Sequence, residues 1–170
     1  MDAVAEAEFR DFMQSRWPRL VRLAYGLSGD QGLAEDLAQT ALVRAYASWQ
    51  RVHRAGDPDA YVRRIVVNAS RSMFRKRRVA EQLSDAVPEP GQADLTSQHD
   101  QRAALITALL SLPHGQRSVV VLRYWMDMTE TEAAAALGCS VGNVKSQASR
   151  ALAKLRISAD LAEGKCHEQG

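Results

Sequence analysis

Residues 129–156 read TETEAAAALGCSVGNVKSQASRALAKLR and carry the clearest structural signal in the chain. Thr129 and Glu132 have the spacing of a capping box, which predicts that a helix starts after Thr129. Gly138 ends this helix, because a backbone with positive φ costs little only for glycine, and Ser140 caps the next one. Two helices joined by a sharp turn are typical of a helix-turn-helix, whose second helix enters the major groove of DNA.

The second helix of this pair has the side chains of a DNA-reading surface. Residues 139–156 include four basic residues and no acids. Amide, hydroxyl and cationic groups are the ones that proteins use to contact base edges and phosphates. A helical hairpin with a solvated polar face has the same spacing, but the lack of acids and the small side chains favour DNA. The residues expected on or beside the DNA-facing surface are Gly142, Asn143, Lys145, Ser146, Gln147, Ser149 and Arg150.

Helical patterns over the rest of the sequence predict an all-α chain. Apolar residues recur near helical spacing over residues 4–27 and 30–49. Asp57 and Pro58 then supply the cap and the first position of a third helix, which ends in the basic run 75–78. Further helices are expected over residues 102–110 and 111–125, ahead of the helix-turn-helix. The sequence contains neither an alternating β-pattern of useful length nor an internal repeat.

The distribution of charge divides the chain into two modules. Residues 51–79 hold nine basic residues and two acids, whereas residues 80–100 hold five acids and no basic residue. The acidic stretch contains Pro88, Pro90 and Gly91, which is typical of a flexible linker. Two basic blocks separated by an acidic one indicate two surfaces that face polyanions. The sequence therefore predicts two small helical domains at residues 4–79 and 101–158, a flexible acidic linker at 80–100 and a tail at 159–170.

Composition excludes several classes of function. The 170 residues are 46% hydrophobic and 25% charged, which is ordinary for a globular protein. No apolar run approaches the ~20 residues of a transmembrane helix, and the first residues have no secretory signal pattern. Cys139 and Cys166 form no C-x-x-C pair, which favours a reducing cytoplasm. The histidines are scattered and no Gly-rich phosphate loop precedes a helix, so we expect no enzyme, no metal site and no cofactor.

The third predicted helix combines cations with aromatic rings. Cationic groups follow a phosphate chain and aromatic faces stack on unpaired bases, so this mixture suits single-stranded or melted DNA. Two other interpretations stay open at this point: the aromatic residues belong to the core, and the basic run clamps the phosphates of duplex DNA. The residues concerned are Trp49, Tyr61, Arg63, Arg64, Arg71, Phe74 and Arg75.

Four segments give the chain a family resemblance that covers residues 6–156. They read DLAQTALVRAY at 36–46, YVRRIVVN at 61–68, LPHGQRSVVVLRY at 112–124 and VGNVKS at 141–146. In this order, with an acidic stretch between the second and the third, they resemble the extracytoplasmic-function (ECF) sigma factors, the smallest promoter-recognition subunits of bacterial RNA polymerase. The pattern with Gln147 and Ser149 is most similar to an actinobacterial SigE-like subgroup.

The resemblance implies roles for the N-terminal domain, which corresponds to sigma region 2. In the family this domain binds the clamp helices of the polymerase β′ subunit and opens the −10 element of the promoter. Asp36, Gln39 and Arg44 would belong to the clamp-binding face, and residues 50–56 would form the specificity loop beside the pocket for a flipped −10 base. The residues assigned to the −10 element are Trp49, Tyr61, Arg64, Asn68, Arg71 and Arg75.

The resemblance also names the partners of the C-terminal domain, which corresponds to sigma region 4. This domain would read the −35 element as duplex DNA and contact the β flap. The expected partners are thus core RNA polymerase and promoter DNA, duplex and melted, with an anti-sigma factor as a further candidate. The alternative is a free-standing helix-turn-helix regulator that binds duplex DNA without polymerase, usually as a dimer on a palindrome. The sequence offers no dimerisation heptad for it.

Overall fold

The computed structural model describes residues 1–83 and 97–167, with side chains over 1–83 and 100–159. Within these residues the backbone is helical and contains no β-strand, as the sequence predicts. Of the helices described, none has the length and hydropathy that crossing a bilayer requires. The helices are α1 (Ala3–Ser28), α2 (Gln31–Ala47), α3 (Trp49–Arg54), α4 (Pro58–Leu83), α5 (Ser97–Ser111), α6 (His114–Val120), α7 (Glu130–Leu137) and α8 (Val141–His167).

Helices α1 to α4 form an N-terminal module around one apolar core. Asp2 caps α1 and Asp30 caps α2, each with a side-chain oxygen that accepts a hydrogen bond from a backbone N–H three residues later. Gly29 ends α1 in the left-handed conformation, with φ at 71°. The turn folds α2 back along α1, and α4 packs on both. Apolar side chains from α1 and α4, such as Leu23 and Val66, are fully buried between them.

The structure differs from the predicted helix limits in several places. Helix α2 ends at Ala47 rather than at residue 49, and the expected loop 50–56 is largely the short helix α3. The chain turns at Ser48, which lets the apolar ring of Trp49 enter the core. Helix α4 continues to Leu83 and α8 to His167, because alanine, leucine and glutamate in both extensions favour helix. Helix α5 begins at Ser97, so residues 97–100 of the predicted linker are helical. The remaining linker residues, 84–96, lie outside the described residues.

Helices α5 to α8 form a C-terminal module that contains the helix-turn-helix. After α6 the helix widens into one π turn over Val121–Trp125, where the N–H of Met126 donates to the carbonyl of Val121 at 2.9 Å. The capping box is present, since the N–H of Glu132 donates to Thr129 Oγ1 at 3.1 Å and the N–H of Thr129 donates to Glu132 Oε2 at 2.8 Å. Gly138 makes the turn with φ at 66°. The predicted helix-turn-helix is therefore confirmed.

The two modules pack against each other rather than lying apart. Helix α1 contacts α5 and the π turn, and α4 contacts α6 and α7. Buried apolar residues of both modules belong to one continuous cluster. We call this contact the seam, made by Arg22, Gly26, Leu27, Gly29, Arg64, Ser70 and Phe74 on one side and Ile106, His114, Arg117, Val121, Trp125 and Gly138 on the other.

Candidate nucleic-acid interface

Helix α8 buries one face and exposes the other, which creates the candidate recognition surface. Val144 and Ala151, seven residues apart, are fully buried against the rest of the module. Ser140 starts the helix, because its Oγ accepts a hydrogen bond from the N–H of Asn143 at 3.1 Å. Helical periodicity then turns the polar residues outward. The predicted DNA-facing residues that are exposed are Gly142, Asn143, Lys145, Ser146, Ser149 and Arg150.

Two residues of this surface have protein neighbours. Lys145 Nζ lies 3.7 Å from Glu130 Oε2 on the first turn of α7, with both side chains partly exposed to solvent. Such an exposed pair is weak, so phosphate can replace the carboxylate as partner of the lysine. Gln147 is half-buried beside Gly115, where its Nε2 lies 3.7 Å from the position that a Cβ on that glycine would take. Gln147 is therefore less accessible than the other predicted residues.

Helix α4 presents a second polar stripe. Arg64, Asn68, Arg71 and Arg75 recur at intervals of four, three and four residues, which places them on one helix face. All four are exposed, whereas Val62, Val66 and Ser70 on other faces are buried. Tyr61 is half-buried at the start of this stripe and packs against the core. The arrangement places three cations around one amide, next to an aromatic ring.

Trp49 does not belong to this exposed surface. Its side chain is 2% exposed, and its ring lies 5.1 Å from the rings of both Phe9 and Phe12. Its indole Nε1 is buried without a hydrogen-bond partner. A base cannot stack on the Trp49 ring in this conformation, because α1 already covers it. The interpretation of Trp49 as a core residue, which the sequence left open, fits the packing.

A third surface lies on α2. Asp36, Gln39 and Arg44 are exposed and, with Thr40 and Val43, line one shallow depression. Sequence reasoning missed the apolar part of this face. It consists of Val43, which is 68% exposed, and the nearby Tyr46, which is 43% exposed. An exposed apolar patch rimmed by charges is typical of a protein-binding surface. The recurrence of residues 36, 39, 43 and 46 at helical spacing is the signal that could have found it.

Three titratable groups outside the predicted sites are perturbed, namely His114, Arg117 and Glu132. Burial, followed by the charges of Arg117 and Arg71, lowers the pKa of His114 to about 4, so this imidazole is neutral near pH 7. Its Nε2 lies 3.1 Å from Ser70 Oγ across the seam. The pKa of the Glu132 carboxyl lies below its usual value, mainly because the N–H of Thr129 donates to it, with Arg63 and Arg19 adding a smaller effect.

Among the residues that the structure describes, no grouping of side chains suits a metal ion.

Comparison with known proteins accounts for both modules. A family model described as Sigma-70 region 2 matches residues 12–79, and one described as Sigma-70, region 4 matches residues 102–155. The RNA polymerase sigma-E factor of Streptomyces coelicolor is 44% identical over 149 residues, which are 88% of this chain and 84% of that protein. The ECF RNA polymerase sigma factor EcfG of Rhodopseudomonas palustris is 34% identical and covers 86% of this chain and 82% of its own length. The chain belongs to the ECF sigma factors.

A solved structure supports the same fold for this sigma factor. It is the sigma factor RpoE of Bartonella quintana in complex with the anti-sigma factor NepR, and it matches with a TM-score of 0.69 and 29% identity. The match covers 88% of this chain and 94% of that one. The ECF sigma factor described here thus directs RNA polymerase to promoters, and the expected resemblance to actinobacterial SigE-like proteins is confirmed. The alternative of a free-standing regulator is not favoured.

Proposed function

We propose that this sigma factor contacts promoter DNA through two separate surfaces while bound to core RNA polymerase. The observation that carries the proposal is the outward orientation of two cationic stripes, one on α4 and one on α8, on separate modules. We assign residues 4–79 to −10 recognition and melting, residues 101–158 to −35 recognition, and residues 80–100 to the connection between them. Each contact alone is weak, but tethering both to one polymerase makes the second contact effectively intramolecular.

The −35 contact uses the N-terminal half of α8. The helix has an exposed polar face and no acid from its start through Arg156, so phosphates meet no like charge there. Lys145 and Arg150 supply cations, while Asn143, Ser146 and Ser149 supply short hydrogen-bonding groups near the groove floor. Gly142 lets the backbone approach the DNA. A well-formed base contact discriminates by ~1–3 kcal/mol.

The −10 contact uses the stripe on α4. Arg64, Arg71 and Arg75 follow the phosphates of one strand, and Asn68 between them offers an amide that can hydrogen bond the edge of an unpaired base. Tyr61 borders the stripe and adds apolar contact. Taking a base out of the duplex costs a few kcal/mol, which these contacts offset. Trp49 supports this site from within the core, where it anchors α3, the short helix that forms most of the predicted specificity loop.

The polymerase contact uses the depression on α2. Asp36, Gln39 and Arg44 surround the exposed Val43, so the face joins apolar area to charges of both signs. We assign this face to the β′ clamp helices and the C-terminal module to the β flap. The catalytic chemistry belongs to the polymerase, and this chain acts as a non-enzymatic factor in the cytoplasm, with no cofactor. NepR is an anti-sigma factor in the structure of the similar Bartonella protein, so we assign an anti-sigma factor to this chain as well.

The proposal is tested by transcription with sigma-free core polymerase. The template is a DNA library with randomised −35 and −10 windows, and the transcripts are sequenced. Arg150→Ala is expected to change the preferred −35 bases, with Arg156→Ala, an exposed arginine further along α8, as the matched control. Asn68→Ala is expected to reduce opening, read by permanganate reactivity, and a premelted template should restore transcription. Gln82→Ala is its control.

Three results would contradict the proposal. If core polymerase starts no specific transcripts when the chain is added, the chain does not act as proposed. If Arg150→Ala selects the same −35 bases as the parent, the recognition helix is wrongly assigned. If Asn68→Ala opens promoters as well as Gln82→Ala does, the −10 stripe is wrongly assigned.

A further inference from the structure

The first turn of α7 places a carboxylate beside the candidate recognition surface of α8. Glu130 is the first residue of α7, and its Oε2 lies 3.7 Å from Lys145 Nζ. Among the side chains that the structure describes, Lys145 is the only cation of α8 that has an acidic partner. Helix α8 contributes no acid of its own from Val141 through Arg156. The negative charge that this surface meets therefore comes from the neighbouring helix.

The fold of α7 does not depend on the Glu130 carboxylate. Thr129 and Glu132 make the capping box by themselves, and Glu132 also supplies an acid to the positive end of the helix dipole. The side chain of Glu130 is 37% exposed and that of Lys145 is 65% exposed, so both charged groups reach solvent. An exposed pair of this kind contributes little to stability. Its consequence lies in what can approach Lys145 from outside.

A phosphate that binds Lys145 approaches the Glu130 carboxylate as well. The ammonium group already has a carboxylate oxygen at 3.7 Å, so a phosphate oxygen on the same group lies close to a like charge. Two like charges roughly 6 Å apart in water repel enough to weaken binding about threefold. Phosphate contacts carry no sequence information, so this loss is the same for every duplex. The acid therefore acts on affinity and leaves base recognition unchanged.

From this geometry we infer that Glu130 sets the affinity of the −35 contact, because its carboxylate competes with DNA phosphate for the Lys145 ammonium. The inference rests on the proposed function for the identity of the DNA. A promoter complex has base contacts and a second DNA surface to offset the loss, whereas a non-specific complex has neither. Non-specific sites far outnumber promoters, so a weaker phosphate contact leaves less of the sigma factor bound to them. Glu130 is thus a positioning residue that acts through Lys145.

Binding of a fluorescent duplex of random sequence to the full-length chain tests the competition. Glu130→Gln keeps the size of the side chain and removes its charge, so it should tighten binding about threefold at low salt. The gain should disappear as salt is added, since salt screens exposed charges. The matched control is Asp100→Asn, which removes one exposed acid from the first turn of α5. It should change the affinity by less than about 1.5-fold, because charges more than a Debye length from the DNA are screened.

Repeating the substitution without Lys145 shows whether Glu130 acts through that residue. In the Lys145→Ala background Glu130→Gln should tighten binding by less than about 1.5-fold, because no ammonium group remains to bring a phosphate to this place. Glu130→Asp keeps the charge and should bind duplex DNA like the parent. A merely structural role for Glu130 predicts the opposite sign, since a damaged start of α7 would weaken binding. Circular dichroism melts confirm that each variant is folded.

The results separate this inference from the proposed function. With core polymerase and an excess of random duplex as competitor, Glu130→Gln should lose more promoter-specific transcription than the parent. Unchanged or weaker duplex binding by folded Glu130→Gln, an equal gain in the Lys145→Ala background, or the same gain from Asp100→Asn would each overturn the inference. If the parent chain starts no specific transcripts, the proposed function is wrong, and duplex binding still decides whether Glu130 competes for Lys145.

Discussion

Replacing Arg117 by alanine should destabilise the protein by about 4 kcal/mol, comparable to removing one partner of a buried ion pair. Arg117 is 5% exposed and donates Nε to the carbonyl of Leu109 at 3.0 Å, Nη2 to that of Leu112 at 3.0 Å and Nη1 to that of Leu27 at 3.2 Å. Its guanidinium also lies 4.4 Å from the centre of the Phe74 ring. Burial lowers the pKa of Arg117. The groups that accept hydrogen bonds from its guanidinium are backbone carbonyls at helix ends rather than carboxylates.

The size of the effect follows from the helix ends that Arg117 serves. Leu109 lies in the last turn of α5 and Leu27 in the last turn of α1, where backbone carbonyls have no partner within the helix. The cation satisfies these carbonyls and offsets the negative ends of two helix dipoles. Each hydrogen bond from a charged donor contributes ~1.5–3 kcal/mol, and the cost of burying the cation offsets part of their sum.

Urea denaturation followed by circular dichroism measures this effect. With a slope of about 2 kcal/mol per molar urea, Arg117→Ala should lower the midpoint by about 2 M. Arg117→Lys should lie between the parent and the alanine variant, because one ammonium group cannot reproduce the fork of the guanidinium. The exposed Arg77→Ala on α4 is the control and should change stability by less than about 0.5 kcal/mol. A midpoint shift under about 0.5 M for Arg117→Ala would refute the reasoning.

Other predictions concern pH, capping and salt. His114 is held neutral by a pKa of about 4, so only the unfolded chain gains its proton between about pH 6.5 and 4. Stability should therefore fall as the pH falls through that window, and His114→Gln should flatten this part of the profile in thermal melts. Thr129→Ala removes the cap of α7 and should cost about 1 kcal/mol in urea denaturation, whereas Thr131→Ala should cost less. Lys145→Ala should reduce the slope of log Kd against log salt by about 0.9 for duplex −35 DNA, and an unchanged slope would remove Lys145 from the phosphate contacts.

The helix-turn-helix was predictable because its signals are local. The capping box joins residues three apart, and Gly138 is needed where φ is positive, so a short stretch of sequence contains the whole argument. The stripe on α4 is equally local, because Arg64, Asn68 and Arg71 follow helical spacing. The outward orientation of α8 could also be read from Val144 and Ala151, which mark its buried face.

The features that sequence reasoning left open or missed depend on distant partners. In the sequence, Trp49 is an aromatic residue followed by a basic segment, which is also the pattern of a DNA-binding site. Only the packing of Phe9 and Phe12 from α1 against its ring shows that it is a core residue. The π turn over Val121–Trp125 has no local signature, and it aims Trp125 at Arg22, 103 residues away. Arg117 and Leu27 are 90 residues apart. A pattern along the sequence records neither contact.

The seam and the C-terminal module use the same short segment for different purposes. His114, Arg117 and Val121 all lie in the segment 112–124, and each contacts the N-terminal module from within α6 or the π turn. Arg117 also satisfies carbonyls of its own module, so its loss damages both the C-terminal fold and the seam. The three atoms nearest to a Cβ on Gly26 belong to Val121 and Trp125 of the C-terminal module, so its substitution acts first on the seam. Comparing Gly26→Leu with Arg117→Ala in one denaturation series therefore divides the free energy of unfolding into two parts. One part comes from the fold of the C-terminal module, and the other comes from the seam.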